Sequence, residues 1–454
     1  MIGNFNELRD YQKTDVEKIV ASNCLGIFSE QRTGKTPTAL IGMANLCQGT
    51  NFLVVCPNTL VYNWANEVRN WLPMYCPIVI TSQQIPEYDK TKPTVWIVNY
   101  EKVAHTKAHI GLLPQLMKLG DGLIIDEAHR IKNVKAATSK AIISLAHKFK
   151  YRLALTGTPA HNKPEDVFNI LRFLDFKTYS SYYTFIEKWC AMQTIYTAQG
   201  AKSLPNGIRK DKKLEFAQLL DTLSIMHKRT EVMDWSTDMD IIDIPLPATP
   251  TQLKYLEQLE RYFECTDGTT DIETQGILDR LIRYRQICSA PAILNLKGKS
   301  PKIDWLRQYL QDNKNQHVLV FSNSKKLLNL IYSELGNKFT MSIIHGDIKS
   351  KERQERVQQF QQGKLQCLLL QTQACKEGLT LDLADITVFM DVYPPSSDYL
   401  QAKDRAVPTS ADKVKVRLVY RLMMQSTYDQ CLYSLVDKNI DASKVINDFI
   451  NYLK

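Results

Sequence analysis

Through the first third of the chain, short runs that are almost wholly apolar, at residues 24–30, 52–57, 94–100, 122–129 and 151–159, alternate with longer stretches whose apolar positions recur every three or four residues. Such short, continuous runs read as strands buried on both faces, and the amphipathic stretches between them as covering helices. Together they predict a parallel sheet flanked by helices. From Pro164 to Met233 the strand-like runs disappear and aromatics gather at Phe168, Phe173, Tyr182, Tyr183, Phe185 and Trp189, so a helical insertion is expected. Pro245, Pro247 and Pro250 then break regular structure and mark a hinge. Helical periodicity resumes over 251–263 and 277–288, and apolar runs return at 317–323, 339–346, 366–372 and 386–392, predicting a second parallel sheet. The expected organisation is α/β: a first lobe over 1–163, a helical insertion over 164–241, a hinge and helical segment over 242–300, and a second lobe over 301–454.

Length agrees with two lobes, because 454 residues exceed what one hydrophobic core usually holds. No apolar run approaches the roughly 20 residues that span a bilayer, so no membrane segment is expected. The amino terminus carries acidic residues and no apolar core of a secretory signal, which points to the cytoplasm. Ten cysteines are scattered without any Cys-x-x-Cys pair, so neither zinc nor a disulfide framework is indicated. His105 and His109 have the spacing of one helix face, but no third ligand follows them. A net charge of +9 favours a polyanionic partner without deciding for one.

Chemistry concentrates in two places. Ser29 to Thr36, ending Arg32-Thr33-Gly34-Lys35-Thr36, follows an apolar strand and opens a helix, the context a phosphate-binding P-loop needs. Helix-start amides cradle phosphate there, Lys35 reaches the β- and γ-phosphates, and Thr36 offers its hydroxyl to Mg²⁺. The glycine that opens the full motif is replaced by Ser29. About ninety residues downstream, Asp126-Glu127-Ala128-His129 ends another apolar strand, where a sheet's carboxyl edge exposes it. Asp126 there suits Mg²⁺, and Glu127 suits orienting or deprotonating a water. Asn58, Thr59 and Asn63 after the strand at 52–57, and Thr156 and Thr158 at a later strand end, are neutral donors suited to a phosphate backbone. The basic run Lys349, Lys351 and Arg353 reads as solvated surface.

The ordered series of motifs resembles the Snf-type ATPases of helicase superfamily two. Leu8-Arg9-Asp10-Tyr11-Gln12 resembles the family's adenine-reading motif, and the stretch from Leu53 to Val68 its strand-gripping motif. The acidic box, Thr156-Gly157-Thr158-Pro159, and segments containing Arg285, His345, Gln371 and Gln401 follow in the family's order. The resemblance implies two RecA-like parallel-sheet lobes with helical insertions and ATP in the cleft between them. It puts Gln12 on the base, Arg32, Thr33, Gly34, Lys35 and Thr36 around the phosphates, and Gln371, Thr372, Lys376 and Thr380 on nucleic acid. The expected activity is that of a DNA-dependent ATPase translocating on double-stranded DNA, in a compact form like bacterial or phage members. A strand-separating helicase and a nucleotide-gated clamp are the alternatives. The chain departs from the family at Arg32, where a glycine is usual, and in its closing motif, where Gln401 and Arg405 are present but Pro408 replaces the second arginine. Arg405 is therefore the candidate arginine finger.

Overall fold

The structure is a computed structural model that describes residues 1–104, 112–157, 163–197, 200–232, 240–375, 381–393, 396–403, 418–438 and 442–453. The chain divides into two compact units, Met1–Asp234 and Trp235–Lys454.

The first unit is built on β1 (Cys24–Ile27), β2 (Phe52–Cys56), β3 (Cys76–Val79), β4 (Thr94–Asn99), β5 (Gly122–Ile125) and β6 (Tyr151–Leu155). Two more strands, β7 (Cys190–Thr197) and β8 (Gly200–Ile208), form a separate antiparallel hairpin, and β9 (Ser224–Ile225) returns to the main sheet. That sheet has seven parallel strands in the order β3-β4-β2-β5-β6-β1-β9. The two-residue period of a strand explains why its central runs are apolar throughout: Phe52, Val54 and Cys56 join the core on one face, Leu53 and Val55 the core on the other. The stretch expected to be a helical insertion does hold the helices Pro164–Leu174, Tyr182–Trp189 and Lys213–Leu223, but it also contains the β7–β8 hairpin and ends in β9. The hairpin escapes pattern reading because β8 carries Gly200, Pro205, Asn206 and Gly207 and buries no continuous apolar run.

The second unit has six parallel strands, β10 (Asp240–Leu246), β13 (Val318–Ser322), β14 (Met341–Ile344), β15 (Cys367–Gln371), β16 (Ile386–Phe389) and β17 (Leu418–Met424), in the order β10-β17-β16-β13-β15-β14. A small hairpin of β11 (Glu264–Thr266) and β12 (Asp271–Glu273) joins the helices Pro250–Tyr262 and Ile277–Ser289. The proline-rich stretch expected to be a hinge is largely β10. An edge strand tolerates Pro245 because the missing N–H need not join a ladder. β10 is fixed by Arg421, directly opposite Asp243, which donates from Nε and Nη2 to the Asp243 carboxylate and from Nη1 to both oxygens of Asp437 at 2.8 Å. Arg353, expected on a solvated surface, is buried at 7% exposure and donates to the Ile348 carbonyl. Among the described residues no helix is long and apolar enough to cross a membrane, and no cluster of three metal-ligating side chains occurs. His105 and His109 lie outside the described residues.

Candidate active site

Strands β5, β6 and β1 are neighbours in the first sheet, and their carboxyl ends deliver three short segments to one edge. After β1, the loop turns back twice through left-handed residues, Arg32 at φ 66° and Gly34 at φ 72°, before the helix Lys35–Leu46 begins. Gly34 is demanded by conformation and by space together, since a Cβ there would lie 2.2 Å from Gln12 Nε2. At Arg32 a side chain adopts the conformation that a glycine takes without strain, which explains why the related motif has glycine there. Lys35 Nζ donates to the carbonyls of Ser29 and Glu30, both at 2.8 Å.

Gln12, only 5% exposed, sits in the helix Asp10–Ser22 and donates from Nε2 to the Gly34 carbonyl at 3.1 Å and to Thr38 Oγ1 at 3.4 Å. Its Oε1 accepts from the Arg9 amide, and Tyr11 donates its hydroxyl proton to the Thr33 carbonyl at 2.8 Å. The motif expected to read a base is thus bonded to the loop expected to hold phosphates.

At the end of β5, Asp126 Oδ2 accepts from Trp64 Nε1 at 2.9 Å and Oδ1 from the Glu127 amide at 2.9 Å, while Tyr100 donates to the Asp126 carbonyl at 2.7 Å. Burial, reinforced by the neighbouring Glu127 charge and opposed by Trp64 and Lys35, pushes the Asp126 carboxyl up to about 6. Glu127 has φ 52° and ψ 52°, a left-handed backbone unusual for a side chain of its size. Its Oε2 lies 3.2 Å from His129 Nδ1, close enough for charge interaction without hydrogen-bond alignment. At the end of β6, Thr156 is 1% exposed and its amide donates to the Ile27 carbonyl. A Cβ on Gly157 would lie 3.2 Å from Gln31 Cγ and 3.7 Å from Lys35 Nζ, so this element rests on the phosphate loop. Thr158 lies outside the described residues.

Of the other candidates, Asn58, Thr59 and Asn63 follow β2 of the same sheet. Asn58 is exposed and accepts from Asn99 Nδ2 at 2.6 Å, Asn63 is half-buried, and Thr59 Oγ1 is buried without a hydrogen-bond partner among the described residues. In the second unit Gln371 ends β15 and accepts from the Gly346 amide at 3.2 Å. Thr372 follows it, 3% exposed, with its hydroxyl unpartnered among the described residues. Lys376, Thr380, Arg405 and Pro408 lie outside the described residues. Trp64, inside the stretch that resembles the strand-gripping motif, and Tyr100, directly after β4, hold Asp126 from two sides, contacts that emerge only from the fold.

A loop of helix-start amides with one lysine, set beside a half-buried carboxylate pair, suits a polyphosphate accompanied by a cation. The SNF2-related domain matches residues 8–292, and the Helicase conserved C-terminal domain matches residues 301–407. The chain belongs to the SNF2-related family. Similar proteins include Protein CHROMATIN REMODELING 4 of Arabidopsis thaliana, 24% identical over 88% of this chain and 18% of the relative. DNA annealing helicase and endonuclease ZRANB3 of Bos taurus is 26% identical over 84% of this chain and 35% of the relative. The SWI/SNF-related matrix-associated actin-dependent regulator of chromatin subfamily A-like protein 1 of Xenopus tropicalis is 26% identical over 96% of this chain and 44% of the relative. The chain thus spans less than half the length of these relatives. Among solved structures, the Sulfolobus solfataricus SWI2/SNF2 ATPase core in complex with dsDNA aligns at 21% identity and TM-score 0.45, over 95% of this chain and 91% of that one.

Proposed function

We propose that the chain is an ATP-dependent translocase that tracks duplex DNA or remodels its branches. One observation carries the reading: Gln12, the loop from Ser29 to Thr36, Asp126 with Glu127, and Thr156 with Gly157 converge at the carboxyl edge of one parallel sheet. Gln12 reads the base, while Arg32, Thr33, Gly34 and Lys35 surround the phosphates. Lys35 exchanges its two carbonyl partners for phosphate oxygens, which are the stronger acceptors. Thr36, half-buried in the first helical turn, and Asp126 would hold the metal ion, Mg²⁺ in our reading. When bound it neutralises charge on the β- and γ-phosphates. Glu127 orients and deprotonates the attacking water, and its left-handed backbone is the kind of local strain that collects at functional sites. Arg405 is the candidate for the cation that stabilises the transferring phosphoryl group.

Duplex DNA as the partner rests on the ordered family motifs and on the net charge of +9. Asn58, Thr59, Asn63, Thr156, Thr158, Gln371, Thr372, Lys376 and Thr380 form the proposed track. Such contacts fix position on a phosphate backbone without reading bases. Steady-state phosphate release, measured with Mg²⁺ alone and then with duplex DNA, single-stranded DNA or RNA, tests the proposal. Duplex DNA should stimulate most. Greater stimulation by RNA overturns the partner, and binding without turnover under every condition makes the chain a clamp.

A further inference from the structure

The segment that leaves the first unit, residues 224–232, is bonded along its length to the start of the phosphate loop. The Phe28 amide donates to the Ile225 carbonyl at 2.8 Å, the His227 amide to Ser29 Oγ at 3.1 Å, and the Glu30 amide to the His227 carbonyl at 2.9 Å. The Arg229 amide donates to Glu30 Oε2 at 2.9 Å. Ser29 and Glu30 are the residues whose carbonyls receive Lys35. The side chain of His227 meanwhile reaches the helix that carries Gln12: Nε2 lies 2.9 and 3.0 Å from the two carboxylate oxygens of Asp15, and the ring meets Tyr11 edge-on at 5.2 Å. Lys18 of that helix donates to the Ser224 carbonyl at 3.0 Å. His227, together with Lys18, therefore ties the helix that carries Gln12 to the segment bonded to the Ser29–Glu30 turn.

We propose that Asp15 and His227 are positioning residues for nucleotide binding, clamping residues 225–229 as a strap that fixes the spacing between the Gln12 helix and the Ser29–Glu30 turn. The inference rests on the ATP reading above. A nucleotide held at its base by Gln12 and at its phosphates by Lys35 requires those two groups at one separation, and a strap that sets it in advance lowers the ordering cost of binding. Core packing does not explain the contact, because the His227 side chain remains 24% exposed. Asp15, by contrast, is 8% exposed. A carboxylate so placed needs a bonded partner, and His227 provides it across 212 residues of sequence.

Calorimetric titration with a non-hydrolysed ATP analogue, alongside steady-state phosphate release, tests the strap in Asp15→Leu, His227→Ala, His227→Gln and Asp15→Asn. The first two should raise Kd and KM for the nucleotide by about tenfold, the lower end of what losing a hydrogen bond to a charged group does. The rate at saturating ATP should stay within about twofold and DNA affinity should not move, a split that general destabilisation does not produce. Asp15→Asn keeps an acceptor for the imidazole N–H and should restore near-normal KM. His227→Gln keeps a donor and covers the case in which the alanine variant does not fold. Hydrogen exchange at the amides of His227 and Glu30 should slow on nucleotide binding in the wild type and respond less in Asp15→Leu. Normal nucleotide Kd in Asp15→Leu and His227→Ala, whatever their melting temperature, overturns the strap alone. A wild type that binds no nucleotide overturns the ATP reading, and the strap with it.

Discussion

Conformation, space and the bond from Gln12 all converge on one backbone position at Gly34. Its φ of 72° already costs an alanine about 1 kcal/mol, and the added Cβ would stand 2.2 Å from Gln12 Nε2. Gln12 must then leave, losing its bonds to the Gly34 carbonyl and Thr38. Gly34→Ala should therefore raise KM for ATP by at least about tenfold while circular dichroism stays native, because the clash is confined to the site. Unchanged KM would show that Gln12 does not govern nucleotide affinity. Asp126 supplies a prediction with the opposite sign for stability. Its carboxyl is raised from 3.8 to about 6, so between those values the folded chain holds the proton that the unfolded chain releases. The resulting penalty is absent below about pH 4, grows to pH 6 and is full above it, where it amounts to roughly 1–3 kcal/mol after allowance for partial exposure. Asp126→Asn should raise the melting temperature above pH 6, give no gain near pH 4, and abolish turnover. A variant equally stable with wild type at pH 7.5 would mean that Asp126 is ionised without cost.

Among the elements, those legible in sequence were the ones whose burial is continuous. β1, β2, β4, β5 and β6 of the first sheet, and β13 to β16 of the second, are short apolar runs because helices cover both faces. β3 was hidden by its half-buried edge position and by Pro77, β10 by Pro245, and β17 by Arg421. That arginine looks misplaced in a strand until Asp243 on the neighbouring strand and Asp437 are found bonded to it. The site divides in the same way. Gly34, Lys35, Thr36, Asp126 and Glu127 could be proposed from sequence because the motifs that carry them are local. The supports from Trp64, Tyr100 and His227 could not, because their partners lie 62, 26 and 212 residues away. Lys302 is a similar case in the second unit. It is 0% exposed and donates to the Met390 carbonyl at 2.8 Å and to Asp429 at 2.7 Å, tying the helix Pro301–Asp312 to Tyr428–Asp437 at the end of β16. Lys302→Met strands a buried carboxylate and should cost about 3–5 kcal/mol in urea unfolding. Adding Asp429→Leu should recover part of that loss, though not all, because the Met424 amide also donates to Asp429. A double variant less stable than Lys302→Met would refute the pairing.

For the molecule as a whole, the net charge of +9 and the proposed track make different demands on DNA binding, and salt separates them. Each phosphate neutralised by a lysine or arginine releases counterions and contributes about −0.9 to the log-log slope of affinity against salt for duplex DNA. Hydrogen bonds from neutral side chains release none, so their contribution survives added salt. Of the nine proposed track residues, Asn58, Thr59, Asn63, Thr156, Thr158, Gln371, Thr372 and Thr380 are neutral and Lys376 alone is cationic. A track of that composition, with a few surface lysines nearby, should give a slope of roughly −1 to −3. Lys376→Ala should make it shallower by about 0.9, whereas Asn63→Ala should lower affinity by a similar factor at every salt concentration and leave the slope alone. Fluorescence anisotropy on a labelled duplex between 50 and 300 mM salt measures all three. A slope near zero would show that Lys376 neutralises no phosphate and that only the neutral residues could contribute. One of about −6 or steeper would mean that unassigned lysines and arginines, rather than the neutral residues at the strand ends, hold the DNA.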